Sequence, residues 1–148
     1  LVDDLLPLVA DRYSLGGTRG VMGWSMGGYG ALLAAETYPK LFTSVAAASP
    51  AIWPSYEDMM NGPGDAFDSA DDFAANDVFA GIGNLDQAAV RIDCGEQDPF
   101  YWYVKQFVDA FPPGQEPEGG FGTGDHSGSY WHSLQSEQVA FFGRAFQD

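Results

Sequence analysis

The stretch Thr18-Arg19-Gly20-Val21-Met22-Gly23-Trp24-Ser25-Met26-Gly27-Gly28-Tyr29-Gly30-Ala31-Leu32 decides how this chain is read. Residues 18–24 form a short apolar run expected as a buried strand. Tyr29 to Tyr38, with Ala31, Leu32, Leu33, Ala34 and Ala35, is rich in good helix formers. Between them Gly23-Trp24-Ser25-Met26-Gly27 fits Gly-x-Ser-x-Gly. Strand, tight turn and helix are the setting in which that pattern acts as a nucleophile elbow. The turn forces the serine into a strained backbone conformation, and side chains at the neighbouring glycine positions would collide with the strand and helix beside them. Ser25 is then lifted above the sheet, and the amide of Met26 is placed to donate to an oxyanion. The chemistry implied is that of a serine hydrolase or an acyltransferase. The competing reading is an ordinary glycine-rich strand–helix turn.

Working outward, Val2 to Tyr13 reads as an amphipathic helix with Val2, Leu5, Leu6 and Val9 on one face. Pro7 marks either a kink or a late helix start. Phe42 to Ser49 is a second apolar run, and Ala89 to Cys94 a third. Between them, residues 51–88 lose clear periodicity and are rich in Gly, Pro, Asp and Asn, with short helical pieces near Tyr56–Met60 and Asp71–Phe79. A long irregular insertion of this kind suits a cap over a site. Pro99 to Phe111 reads as a helix with Phe100, Val104, Phe107, Val108 and Phe111 inward. Tyr101 and Trp102 fall off that stripe and either pack under the cap or line an acyl pocket. Pro112 to Gly120 is a loop with a brief strand near Phe121. Ser129 to Phe146 is a helix with Leu134, Val139, Phe142 and Phe146 inward. Strands alternating with helices predict an α/β fold with a parallel sheet and right-handed crossovers.

The chain has 148 residues, enough for one domain with a real core. It contains no run of 18 apolar residues, so no transmembrane helix is expected. Leu1 to Ala10 carries Asp3 and Asp4 without a basic flank, which does not fit a signal peptide. The absence of an initiating Met suggests a processed or partial product. The net charge of −15 argues against nucleic acid and anionic membranes as partners. No basic residue lies between Lys40 and Arg91, and Asp65, Asp68, Asp71 and Asp72 fall in that gap. Their spacing does not fit an EF-hand loop, so they read as a solvated acidic surface. Cys94 is the only cysteine, so no internal disulfide forms, and a buried thiol acting as a small hydrophobe is the default. The compartment and the oligomeric state stay open.

A serine nucleophile needs a base, and the base needs a carboxylate to orient it. There are two histidines. His126 lies in the loop Gly122-Thr123-Gly124-Asp125-His126-Ser127-Gly128, ahead of the last helix, and is preferred over His132, which falls in that helix's first turn beside Trp131. When the order along the chain is Ser, acid, His, the acid comes from the loop after a later strand. Gly95-Glu96-Gln97-Asp98-Pro99 is that loop. Asp98 is the first choice and Glu96 the second, while Asp93 belongs within the strand. Asp98 also reads as a helix N-cap with Pro99 at the first helical position, and the two roles can coexist.

Three segments resemble the esterase D branch of the α/β-hydrolases, which includes S-formylglutathione hydrolases, feruloyl-type esterases and the mycolyltransferases. They are Gly23-Trp24-Ser25-Met26-Gly27-Gly28-Tyr29-Gly30-Ala31-Leu32 at the elbow, Ile92-Asp93-Cys94-Gly95-Glu96-Gln97-Asp98-Pro99-Phe100 at the acid loop, and Gly124-Asp125-His126-Ser127-Gly128-Ser129-Tyr130-Trp131 around the base. The resemblance implies Ser25 as nucleophile, Asp98 as acid and His126 as base, in agreement with the residue-level reading. The Met26 amide serves the oxyanion, and neither a metal nor an organic cofactor is called for.

One departure from the family pattern shapes the expectation. Members of the family carry several strands and an oxyanion loop ahead of the elbow, whereas only about twenty residues precede it here. The chain is therefore expected to be the C-terminal part of an α/β-hydrolase, residues 1–148 forming a partial domain with residues 51–88 as its cap-like insertion. Its partners would be a small-molecule ester and the N-terminal part of the same protein. Loss of one oxyanion donor costs about 2.7–4 kcal/mol of transition-state stabilisation, so the isolated chain would be feeble. The reaction expected is carboxylic ester hydrolysis through an acyl-enzyme. The alternatives are acyl transfer of the mycolyltransferase type and a non-catalytic fragment that acts as an assembly partner.

Overall fold

A computed structural model describes residues 1–62 and 66–147. In chain order the elements are α1 (Leu5–Arg12), β1 (Gly20–Trp24), α2 (Met26–Thr37), β2 (Ser44–Ala48), α3 (Tyr56–Asn61), α4 (Ala70–Ala75), α5 (Val78–Gly81), a 3₁₀ turn (Ile82–Leu85), β3 (Ala89–Gly95), α6 (Tyr101–Asp109), β4 (Glu118–Gly122) and α7 (Gly128–Ala145). The strands form one sheet in the order β1-β2-β3-β4, and every pairing is parallel. This is the α/β architecture expected from the alternation of elements.

The register places Val21, Val45 and Val90 in one row, and Gly23, Ala47 and Ile92 in another. These rows meet Ala31, Leu32 and Ala35 of α2 and Val104 and Phe107 of α6 in the main apolar core. The alternate rows, Met22-Ala46-Arg91 and Trp24-Ala48-Asp93, face the opposite side, where α7 packs. That side is partly polar. Arg91 is buried and makes a two-pronged pair with Asp93, with Nε and Nη2 donating to Oδ2 and Oδ1 at 2.8 Å each. Nη2 also donates to Glu137 of α7 at 2.8 Å. A buried charge stays charged only when paired in this way.

Several expectations need correction. Residues 18–24 read as a buried strand, but β1 is an edge strand and Met22 is 41% exposed. Helix α1 begins at Leu5 instead of Val2, so Pro7 falls in the first turn, where its missing N–H has no intrahelical partner to lose. None of its residues is fully buried, and Leu5 points outward. In α7 the inward residues are Tyr130, Gln138 and Phe141, while Val139 and Phe146 are exposed. The cause is the polar face beneath α7, which selects the side bearing Gln138 over the more apolar one.

Tyr101 packs edge-on against Phe121, and Trp102 is exposed, so neither lies under the cap as expected. The piece read as Asp71–Phe79 is two helices, because the Asp77 carboxylate accepts from the Phe79 N–H and starts a new one. Asp71 and Asp72 occupy the first turn of α4 and complement its positive end. Asp68 donates its N–H to Asp72, and Asp65 lies outside the described residues. The strand near Phe121 is β4, five residues long.

No helix among the described residues is long and apolar enough to cross a membrane. The irregular region carries its own small aromatic core of Trp53, Met59 and Phe73, with Tyr56, Phe67, Phe100 and Tyr103 packed against it.

Candidate active site

The turn between β1 and α2 is as sharp as the glycine pattern requires. Ser25 has φ 54° and ψ −122°, a conformation that non-glycine residues avoid, and its oxygen stands at the N-terminus of α2. A Cβ on Gly23 would run into the Gly27 carbonyl, and one on Gly28 would crowd Pro50 at 3.1 Å. Gly27 itself faces open space, so the expected steric demand holds at Gly23 and Gly28 but not at Gly27. Two backbone bonds clamp the bend to the end of β2: the Ser25 N–H donates to Ala48 O, and the Ala51 N–H donates to Ser25 O, each at 3.0 Å. Ser49, between those clamps, also has a positive φ of 46°. As the first residue of α2, Met26 has an N–H with no partner one turn earlier in the helix.

Asp98 sits at the carboxyl end of β3 with its side chain fully shielded. Oδ1 accepts from the Phe100 N–H at 2.8 Å, and Oδ2 is 2.8 Å from His126 Nδ1. Asp98 faces the imidazole, but the N-cap reading needs correction: α6 begins at Tyr101 with Phe100 as its cap residue, so Pro99 precedes the helix and Asp98 instead closes the turn that leads into it. The acid loop and the base loop are laced to each other by three backbone donors. Glu96 N–H donates to Gly122 O at 2.8 Å, Gln97 N–H to Gly124 O at 2.9 Å, and Gly124 N–H to the Gln97 side chain at 2.9 Å. A Cβ on Gly95 would strike the Gly124 carbonyl, so this close approach requires glycine.

The other imidazole nitrogen, Nε2, is 2.8 Å from Ser25 Oγ. With Asp98 as a carboxylate that can only accept, Nδ1 carries the proton and the Nε2 lone pair faces the hydroxyl. Residues 25, 98 and 126 thus form one hydrogen-bonded chain. Glu96 is exposed and takes no part in it, and His132 is exposed and lies edge-on to Trp24 at 6.0 Å.

Sequence reasoning missed the aromatic surroundings of the base. His126 lies between Phe100, at 5.3 Å between ring centres, and Trp131, at 5.1 Å and nearly perpendicular. Trp131 in turn stacks on Trp24 at 5.7 Å and 19°. A signal for Trp131 was present: Ser127 starts α7, as its hydroxyl accepts from the Tyr130 N–H, and this folds the first turn back over the preceding histidine.

Cys94 lies behind the acid, and burial, reinforced by Asp98, pushes its thiol up to about 12. A thiol held in that form is an inert filler. Among the described residues no group of three or more His, Cys, Asp or Glu side chains gathers to hold a metal ion.

The parallel sheet, the strained serine at a strand–helix turn and the late histidine define the class as an α/β-hydrolase. The chain belongs to the family described as "Putative esterase", whose model matches residues 1–134. A search of curated proteins finds no match.

Solved structures share the fold. A ferulic acid esterase superposes with a TM-score of 0.78 at 24% identity, covering 97% of this chain and 59% of the other. A Staphylococcus aureus fluorophosphonate-binding serine hydrolase, FphF, gives 0.72 at 22% identity, covering 97% and 62%. An S-formylglutathione hydrolase from Staphylococcus aureus gives 0.71 at 22% identity, covering 96% and 61%. The chain therefore spans about three-fifths of the length of these structures.

Proposed function

We propose that this chain carries the nucleophile, base and acid of a carboxylic ester hydrolase that works through an acyl-enzyme. The observation that carries the proposal is the unbroken run from Asp98 Oδ2 through His126 to Ser25 Oγ, with 2.8 Å at each link. Ser25 Oγ attacks the ester carbonyl as its proton passes to His126 Nε2. Asp98 holds the imidazole and stabilises the charge it gains. The Met26 N–H donates to the carbonyl oxygen as negative charge builds on it. The imidazolium then returns the proton to the departing alcohol. Water, activated by the same imidazole, releases the acid and frees Ser25. Family membership supports ester chemistry.

The open edge of β1 and the exposed Met22 support a larger sheet in which further strands pair with β1 and bring a second oxyanion donor to face the Met26 amide. In this reading the substrate's acyl and alcohol pockets are shared with that additional part.

The test is pre-steady-state hydrolysis of p-nitrophenyl acetate by the native protein that carries these residues. A burst of nitrophenol stoichiometric with protein, absent in Ser25→Ala, is the expected result. Identical rates for the two proteins would refute the reading. Added alcohol that captures all of the acyl group, with no acid released, would assign transfer in place of hydrolysis.

A further inference from the structure

We infer that Trp131 is a positioning residue for the His126 imidazole, acting with Trp24 as an aromatic tie that holds base and nucleophile in line. The inference rests on the reading of Ser25, His126 and Asp98 given above. Ser25 and His126 come from opposite edges of the sheet: Ser25 follows β1 and His126 follows β4, with β2 and β3 between them. Three strand spacings make that span roughly 14 Å. Yet the reacting atoms lie 2.8 Å apart.

The known anchors of His126 all lead to β3. Asp98 holds Nδ1, and the lacing of the two loops joins residues 122–124 to residues 96–97. These contacts locate the imidazole relative to β3, whereas the nucleophile stands on β1, two strands away. The Trp24–Trp131 stack closes that gap directly. Trp24 is the residue before the nucleophile and projects on the α7 side of the sheet. Its row neighbour is Ala48, which is too small to occupy the space the indole takes. Trp131 sits in the first turn of α7, five residues after the base, where its N–H donates to Ser127 O at 3.1 Å. One face-to-face contact, to Trp24 at 5.7 Å, and one perpendicular contact, to His126 at 5.1 Å, therefore join β1 to the base through a single side chain.

The two indole N–H groups are buried, and neither has an acceptor among the described residues. What the structure gives these rings is contact with each other and with His126. A phenyl ring at position 131 supplies shape and ring contact in part. Ordinary core packing would use the same rings for stability alone, and the two roles separate experimentally.

The test compares Trp131→Leu, Trp131→Phe, Trp24→Leu and the Trp24→Leu/Trp131→Leu double variant in the native protein that carries these residues. Hydrolysis of p-nitrophenyl acetate is followed across pH, and the His126 ring nitrogens are observed by ¹⁵N NMR. Trp131→Leu is expected to lower kcat by roughly ten- to a hundredfold with KM within about twofold, since small misplacements of reacting groups act on the chemical step. Trp131→Phe recovers most of the rate. The double variant is no slower than the slower single variant, because the two residues act through one contact. Asp98 keeps the Nδ1–H tautomer in every variant, while the Nε2 resonance, which reports the hydrogen bond from Ser25 Oγ, shifts toward that of a free ring nitrogen in Trp131→Leu.

A Trp131→Leu protein with a lowered melting temperature but wild-type kcat, pH profile and Nε2 resonance would overturn the inference. If wild type and Ser25→Ala hydrolyse ester equally, the proposed function fails. The Nε2 resonance then still decides this inference: its shift in Trp131→Leu supports the tie, and a wild-type value refutes it. Should Trp131→Leu not fold, Trp24→Leu and Trp131→Phe carry the same comparison.

Discussion

Replacing Glu36 with glutamine should stabilise the protein near neutral pH and do so less and less as the solution is acidified. Glu36 lies in α2 and is only 4% exposed. Its Oε1 is buried without a hydrogen-bond partner among the described residues, and its carboxyl group presses on Gly81 of α5, where a Cβ would strike it. Burial, reinforced by the nearby Asp77, lifts its pKa from 4.5 to about 8. The folded state therefore grips the Glu36 proton more tightly than the unfolded chain does. Stability from this group is complete below about 4.5 and is lost as the pH climbs from there to about 8, with no further loss above.

Each pH unit inside that window is worth about 1.4 kcal/mol, so wild type at pH 7 carries a burden of about 3 kcal/mol relative to acid conditions. Glutamine keeps the shape and cannot ionise, but its amide also lacks a partner, at roughly 1–3 kcal/mol. The net gain at pH 7 is then about 1–2 kcal/mol, vanishing or reversing near pH 5. Urea denaturation of both proteins at pH 5, 6, 7 and 8 measures this directly. Stability curves that run parallel across that range would refute the reasoning.

Other outcomes follow from the same geometry. His126→Ala should abolish ester turnover, whereas His132→Ala, which changes a residue outside the hydrogen-bonded run, should keep most of it; steady-state kinetics on the two variants decides. Asp98→Asn should cost about 10⁴ in kcat, because an amide permits the wrong imidazole tautomer. Arg91→Leu should destabilise by about 3–5 kcal/mol, since it strands the buried Asp93 carboxylate. That loss should shrink in acid, where protonation relieves Asp93, and denaturant titrations at pH 4 and pH 7 measure the difference.

The elbow was legible because its chemistry is local. Gly23 is demanded by contacts within the turn, Gly28 by the Gly23 carbonyl and by Pro50 just past the end of the neighbouring strand, and the strain falls on the serine between them. Asp98 and His126 were legible for a related reason: each follows a strand and precedes a helix, so topology brings them to one end of the sheet. What stayed hidden depends on partners far away in the chain. The buried face of α7 could not be read from apolar spacing, because it lies over Arg91 and Asp93 and turns Gln138 inward while Val139 points out. The Trp24–Trp131 stack joins residues more than a hundred positions apart. Glu36 looks like any helical glutamate in the sequence, and only the docking of α5 against α2 encloses it. The irregular region was recognised as such, but its division into α4 and α5 turned on a single capping side chain, Asp77.

The central claim is that an imidazole from the far edge of the sheet activates Ser25. Treating the native protein that carries these residues with a fluorophosphonate probe and mapping the adduct by mass spectrometry tests it most directly. The account predicts phosphonylation at Ser25, lost in Ser25→Ala and slowed at least a hundredfold in His126→Ala, in line with the scale of general-base catalysis. Label on another residue, or His126→Ala labelled as fast as wild type, would contradict it.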